Sequence, residues 1–338
     1  MRVRLIALIA VASVAVAVAV AVAGCGSSHR TTTTTTTATT ATAAFPATFV
    51  ARSTDTKAPG IAVFSSRTGR RVRRLTDGAR DIDPLLTDDR RWVYFVRVAQ
   101  DPCPVQLERV PSAGGAATRL APAGYPGGPV AISQDGRMLA YISTGPGRCR
   151  LNAAADTLVL VNLATGQIHR IATIAWGMAW SPDNHALALV GPDPSTGRSV
   201  IKMISEPMIA DPAQVRAAPA IPCPTADACA ATSPTFDAQG ALFYTAMISH
   251  EPGDRCWLSP CHDWTYALVS DRGGRTRVLS TQRPSGDAVL GAGVVNADGS
   301  AMIYRLPFGG GYRVWRWSAG ASVAVAAPGG DSNQPVWR

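Results

Sequence analysis

The side chains best equipped for chemistry gather in one stretch, residues 249–264, which reads SHEPGDRCWLSPCHDW. His250, Glu251, Asp254, His262 and Asp263 bring imidazole and carboxylate groups together, the donor types of a metal site or an acid/base pair. Cys256 and Cys261 bracket part of it. A disulfide between them makes the stretch an exposed, covalently closed loop with solvated charges, and that is the preferred reading. Trp257 and Trp264 either pack beneath such a loop or stand out as aromatic anchors for a partner. His250, Trp257, His262, Asp263 and Trp264 are therefore candidate binding residues rather than catalytic ones. His169 and His185 are isolated and read as surface residues. No Gly-x-Ser-x-Gly elbow, His-Glu-x-x-His pair or phosphate-cradling glycine loop occurs. The expectation is a protein without a catalytic motif, cofactor or metal.

The seven cysteines suit an oxidising compartment. Setting Cys25 aside leaves Cys103, Cys149, Cys223, Cys229, Cys256 and Cys261. The sequences CPTADAC (223–229) and CWLSPC (256–261) each close a small loop, which leaves Cys103 and Cys149. A zinc site more often shows short Cys-x-x-Cys pairs, and there is none. Three disulfides are expected, pinning surface insertions more than the core.

The N-terminal segment has the layout of a secretory signal. Residues 1–4 are basic, residues 5–23 are apolar, and Val22-Ala23-Gly24-Cys25 follows. That ending resembles the lipobox of bacterial lipoproteins. The resemblance implies cleavage after residue 24, lipidation of Cys25 and a membrane anchor through it. An uncleaved transmembrane helix is the rival reading. Both leave the rest of the chain extracytoplasmic. Residues 25–44 are a threonine-rich linker with no apolar pattern, whose 19 residues after Cys25 reach roughly 65 Å when fully extended.

Cleavage removes Arg2 and Arg4, taking the formal net charge from +9 to +7. The arginines are dispersed apart from RTGRRVRR (67–74), so nucleic acid is not an expected partner. An anionic envelope polymer or lipid headgroup is more accessible. The default for that cluster is a solvated hairpin edge.

The elements that must position these groups come from a repeat. Five segments carry an apolar strand, a polar turn and a second apolar strand: residues 84–97, 130–143, 178–191, 234–246 and 293–306. Aligned on the turn, their apolar anchors are Leu86, Ile132, Trp180, Phe236 and Val295. Polar residues follow directly: Thr87, Ser133, Ser181, Asp237 and Asn296. The turns are Asp89-Arg90, Asp135-Gly136, Asp183-Asn184, Gln239-Gly240 and Asp298-Gly299, which suit tight hairpins. Continuous apolar runs such as MLAYIS imply strands covered on both faces. A second hairpin with a glycine turn recurs at 61–76, 107–121, 158–172, 266–280 and 312–327. The copy expected near 200–216 has lost its glycine turn. Two hairpins per unit of about 42 to 59 residues describe four-stranded propeller blades.

The runs AWSPDNHALALV and AISQDGRMLAYI resemble the Pro-x-Trp-Ser-Pro-Asp-Gly repeat of TolB-like propellers, a WD-repeat-like shape with its own sequence pattern. The resemblance covers residues 45–338, the whole expected propeller domain. Trp337, in QPVWR, lies 42 residues beyond Val295 and falls in the same frame. The expected fold is thus all-β: a six-bladed propeller of four-stranded antiparallel blades. Its ring closes by the C-terminal strand pairing with the N-terminal strands around 46–52. Insertions at 99–106, 144–156 and 248–264 fall between second and third strands and so share one face. Cys103 and Cys149 then occupy equivalent loops of adjacent blades, which makes their pairing geometrically reasonable.

The expected protein is a monomeric, lipid-anchored envelope propeller, and the TolB-like resemblance implies that it acts as a binding or protein-interaction scaffold for an envelope protein or polymer. The alternative is an extracellular carbohydrate or peptide hydrolase or lyase with its site at the propeller channel. A carboxylate pair or histidine cluster at the channel mouth favours the enzyme. A small, apolar lining favours binding. A ligand sensor signalling to a membrane partner is a third reading. Propeller peptidases carry a hydrolase domain after the propeller, and none is expected here.

Overall fold

The computed structural model describes residues 46–325, except 54, 56, 88, 99–104, 121–125, 144–156, 194–195, 222–223, 225–228, 250–263, 283–292, 306–311 and 317–320. All lie in the larger of two compact units, residues 43–338.

Among the described residues, six small antiparallel sheets succeed one another along the chain. The first holds β1 (Thr48–Ser53), β2 (Gly60–Ser65) and β3 (Arg71–Arg74). The second holds β4 (Asp81–Leu86), β5 (Trp92–Val98), β6 (Val105–Pro111) and β7 (Thr118–Arg119). The third holds β8 (Pro126–Ile132), β9 (Met138–Ser143), β10 (Thr157–Asn162) and β11 (Ile168–Ile171). The fourth holds β12 (Gly177–Trp180), β13 (Ala186–Pro192) and β14 (Ser199–Ser205), followed by helix α1 (Pro212–Ala217). The fifth holds β15 (Cys229–Phe236), β16 (Leu242–Ser249), β17 (Trp264–Arg272) and β18 (Arg275–Gln282). The sixth holds β19 (Gly293–Val295), β20 (Ala301–Arg305), β21 (Tyr312–Arg316) and β22 (Ala321–Val325). Within each sheet neighbouring strands are consecutive in sequence, the meander of a propeller blade.

Five sheets thus carry an inner strand of the repeated type: β4, β8, β12, β15 and β19. The first sheet has three described strands and no inner one among the described residues. Residues 332–338, expected to supply it, lie outside them.

The repeated turn forms through local hydrogen bonds. Ser181 Oγ donates to Asp183 Oδ1 at 2.5 Å and accepts from the Ala186 amide at 2.9 Å. Ser133 does the same with Asp135 at 2.6 Å and Met138 at 2.8 Å. In the fifth and sixth sheets a carboxylate or amide oxygen replaces the hydroxyl, Asp237 Oδ1 accepting from Ala241 at 2.8 Å and Asn296 Oδ1 from Ala301 at 2.9 Å. The turn's last residue has positive φ in every copy: Arg90 53°, Gly136 70°, Asn184 63°, Gly240 82° and Gly299 70°. Glycine and asparagine reach that region cheaply, which explains their recurrence.

The core lies between sheets. β9 is buried along its whole length, as its apolar run requires. Shared buried clusters join the second sheet to the third, the third to the fourth, the fourth to the fifth and the fifth to the sixth. Another holds Phe49 and Phe64 of the first sheet with Val93 and Phe95 of the second and Val294 and Ile303 of the sixth.

The copy without a glycine turn departs from the pattern. A capping box starts α1: Asp211 accepts from the Gln214 amide, Gln214 accepts from the Asp211 amide, and Pro212 sits in the first turn. Val215 of α1 is buried. What remains of a fourth strand is a single bridge between Lys202 and Ala220.

Candidate functional site at the central channel

The inner strands β4, β8, β12, β15 and β19 surround a central channel of about 60 Å³. Four of the five sequence anchors line it, Leu86, Ile132, Trp180 and Phe236, while the fifth strand contributes Val294. The remaining lining is Leu, Val, Ala, Met and Pro, with Thr235 as the exception. The Trp180 indole N–H is buried and has no hydrogen-bond partner among the described residues. A space of this size admits a few water molecules and no sugar ring. Such a water is the natural acceptor for that N–H.

At one end the polar residues of the repeated turns, Thr87, Ser133, Ser181, Asp237 and Asn296, are all buried. They are engaged within the turns, and Asp237 also accepts from Arg272 of β17 at 3.3 Å, so they offer little to a ligand.

The other end is chemically richer. Asp83 and Ser233 occupy equivalent positions, each preceding a proline and lying three residues before its anchor. Both have positive φ, 51° in each case. Each sits at a register shift, between Ile82 and Leu85 in β4 and between Thr232 and Thr235 in β15. A non-glycine residue at positive φ is uncommon, and proline disfavours it further in the residue before it. Burial pushes the Asp83 carboxyl up to about 6, while the nearby Arg52 charge pulls the other way. Trp176, just before β12, is 46% exposed at this end. This end thus carries a half-buried carboxyl on β4, held above the usual carboxylate range by burial, and, two sheets away, an exposed aromatic side chain.

A second charged group lies beside β4. Arg97 donates to both oxygens of the fully buried Asp81 at 2.7 and 2.9 Å and pairs with Glu108 at 2.9 Å. Burial raises the Glu108 carboxyl, and Arg97 opposes it. All three groups are satisfied by one another, which marks a structural pairing.

Of the residues singled out from sequence, Cys25, Cys103, Cys149, Cys223, Cys256, Cys261, His250, Trp257, His262 and Asp263 lie outside the described residues. Trp264 opens β17, where its backbone pairs with Ser249. Cys229 opens β15 and is buried. His185 is exposed, as expected, but His169 is half-buried with Nε2 2.6 Å from the Ala210 carbonyl oxygen. Asp83 and Trp176 were missed by the motif search. The visible signal was the aligned Asp-Pro and Ser-Pro pairs ahead of two inner strands.

Among the described residues no group of three or more His, Cys, Asp or Glu side chains is placed to hold a metal. No helix among them is long and apolar enough to cross a membrane.

No protein-family model matches the sequence, and no curated protein is significantly similar to it. Its fold is similar to that of solved structures. TolB from Acinetobacter baumannii superposes with a TM-score of 0.60 at 13% identity, over 85% of this chain and 65% of that one. An oligogalacturonate lyase in complex with manganese gives 0.53 at 16% identity, over 80% and 71%. A chain of a nidogen/laminin complex gives 0.54 at 11% identity, over 85% and 97%. The chain spans just under two thirds of the length of that TolB. These likenesses establish a TolB-like β-propeller fold. The donors a manganese ion needs are not gathered among the described residues.

Proposed function

We propose that the chain is an extracytoplasmic, lipid-anchored propeller that binds an envelope protein or polymer on the face bearing the channel mouth. The observation that carries this reading is the channel itself. Its space of about 60 Å³ is too small for a sugar ring, and its lining among the described residues offers no carboxylate or imidazole for acid/base work. Recognition then falls to the surface around the mouth, where Trp176 is exposed. An exposed aromatic side chain suits a binding contact.

In the same reading the ring has six blades, with residues 334–338 as the inner strand of the first sheet. The cluster joining Phe49 to Ile303 supports this by bringing the first and sixth sheets together. Cys229 pairs with Cys223, Cys256 with Cys261 and Cys103 with Cys149, and Cys25 carries the lipid. The protein acts as a monomer.

The second reading is a carbohydrate lyase or hydrolase, favoured by the likeness to the oligogalacturonate lyase fold. One experiment separates them. A photo-crosslinking residue replaces Trp176 at the mouth or Arg137 on the opposite face, and crosslinking is run in intact cells. Adducts of discrete mass from position 176 and none from 137 are expected. Equal adducts from both positions, or release of unsaturated sugars from polygalacturonate by the purified protein, overturn the proposal. Mass spectrometry of the N-terminus tests the anchor, which requires a diacylglyceryl-modified Cys25.

A further inference from the structure

We infer that the outer edge of the first sheet is a docking surface for anionic phospholipid headgroups, holding the propeller in a fixed attitude on its own membrane. This rests on the lipid-anchor reading for its setting.

β3 is the outermost strand of its sheet, and all four of its residues are exposed. Arg67, Arg70, Arg71, Arg73 and Arg74 fall within eight residues of this strand and the turn before it, with no acidic residue among them. Arg71 donates to the Ala58 carbonyl and lies 3.7 Å from Asp55, and Arg73 donates to the Ser112 carbonyl at 2.5 Å. The guanidinium groups of Arg67, Arg70 and Arg74 form no hydrogen bond or ion pair among the described residues. Val72, at 60% exposure, adds an apolar contact in the middle of the strand. The adjoining turn of the second sheet extends the positive surface. Ser112 binds the Arg91 carbonyl at 2.9 Å, and Arg90 and Arg91 are both exposed. The Asp89 carboxylate in that turn is occupied by Thr87 Oγ1 at 2.6 Å and the Arg91 amide at 2.9 Å.

The second observation is where the chain enters the domain. The Ala47 carbonyl accepts from the Ser66 amide at 2.9 Å, and Thr48 pairs with Ser65. The segment leading back to Cys25 therefore joins the propeller one residue from Arg67. Because the linker joins the propeller beside this edge, contact of this edge with the bilayer demands the least of the linker's reach, and the attraction then acts within ~8–10 Å of the charged surface. Phosphate oxygens match guanidinium groups in both charge and geometry. Acyl chains hold the protein at the membrane, and the arginine edge decides which side of the propeller faces it.

The test uses the chain from residue 25 with Cys25→Ser, so that binding does not depend on acylation. Sedimentation with vesicles of 7:3 phosphatidylcholine:phosphatidylglycerol is compared with pure phosphatidylcholine, at 50 and 500 mM salt. Binding to the anionic vesicles alone, lost at high salt, is expected. Each arginine near such a surface contributes about fivefold in partitioning. The triple variant Arg67→Gln, Arg70→Gln, Arg74→Gln should therefore bind at least tenfold more weakly. Arg275→Gln with Arg277→Gln, on the edge strand β18, should change binding by less than the triple variant does. Equal binding to neutral vesicles, an unaffected triple variant, or capture by polyglutamate but not by vesicles overturns the inference. An unmodified Cys25 by mass spectrometry overturns the anchor reading instead, and leaves the vesicle result to stand or fall independently.

Discussion

Replacing Asp83 by Asn should stabilise the propeller at neutral pH, and the effect should vanish in acid. Asp83 carries a carboxyl whose folded value is about 6, against 3.8 for a free side chain. The native state thus keeps a proton that the unfolded chain has already lost between about pH 4 and 6. Stability from this group is complete below about pH 4, falls as pH rises through 6, and stays lower above it. A shift of about two units corresponds to about 3 kcal/mol. Asp83 is only half-buried, so water screens part of this, and about 1–2 kcal/mol is the reasonable expectation. Asn has nearly the same shape, cannot ionise and tolerates the 51° φ. For a domain of this size, Asp83→Asn should raise Tm by about 2–5 °C at pH 7.5. The assay is thermal unfolding of both proteins from pH 3.5 to 8. Their curves should converge near pH 4 and separate through pH 6. A variant no more stable than the parent at pH 7.5, or a gap independent of pH, would refute the assignment of burial as the dominant influence on Asp83.

Three further outcomes follow from the same coordinates. Arg97→Leu leaves the fully buried Asp81 carboxylate without its two charged donors and should cost about 3–5 kcal/mol in chemical denaturation. Arg90→Gly places glycine where φ is 53°, as three other copies already do, and should gain up to about 1 kcal/mol, read as a higher denaturant midpoint with unchanged slope. Trp180→Ala removes the largest side chain of the inner ring and should cost about 3–5 kcal/mol, measured the same way.

Much of the blade framework was readable because it obeys short-range rules. Ser181-Pro182-Asp183-Asn184 specifies its turn through its own hydrogen bonds, and MLAYIS announces a strand covered on both faces. The distorted copy was also visible, since a missing glycine turn removes the cheapest way to reverse the chain. What replaced it was not foreseen. Asp211, Pro212 and Gln214 form a sound helix start, but six residues are too few for a periodic signal. The channel mouth was hidden for a different reason. The character of Asp83 depends on burial by neighbours distant in sequence and on the charge of Arg52, and neither is encoded in spacing. The polar loop at 249–264 drew attention because its residue types are reactive. Residue type says nothing about convergence, and five strands converge instead on an apolar channel.

That channel bears on how such a repeat can function at all. Each inner strand must bury an anchor against its neighbours, so the copies select large apolar residues at one position. Filling the centre with Leu86, Ile132, Trp180 and Phe236 stabilises the ring and at the same time denies it a polar interior. Specificity then has to come from residues just outside the repeat's packing constraint. Asp83, Ser233 and Trp176 lie at that boundary, where the strand has left the core but is still held by it. The strain of positive φ before Pro84 and Pro234 is tolerated there because the inner strands over-determine the backbone. The same logic places the exposed arginines on β3 and the turn before it, the outermost part of the first sheet and the part least committed to packing. A propeller of this kind presents its chemistry at its mouth and at its rim, because its centre is required for folding.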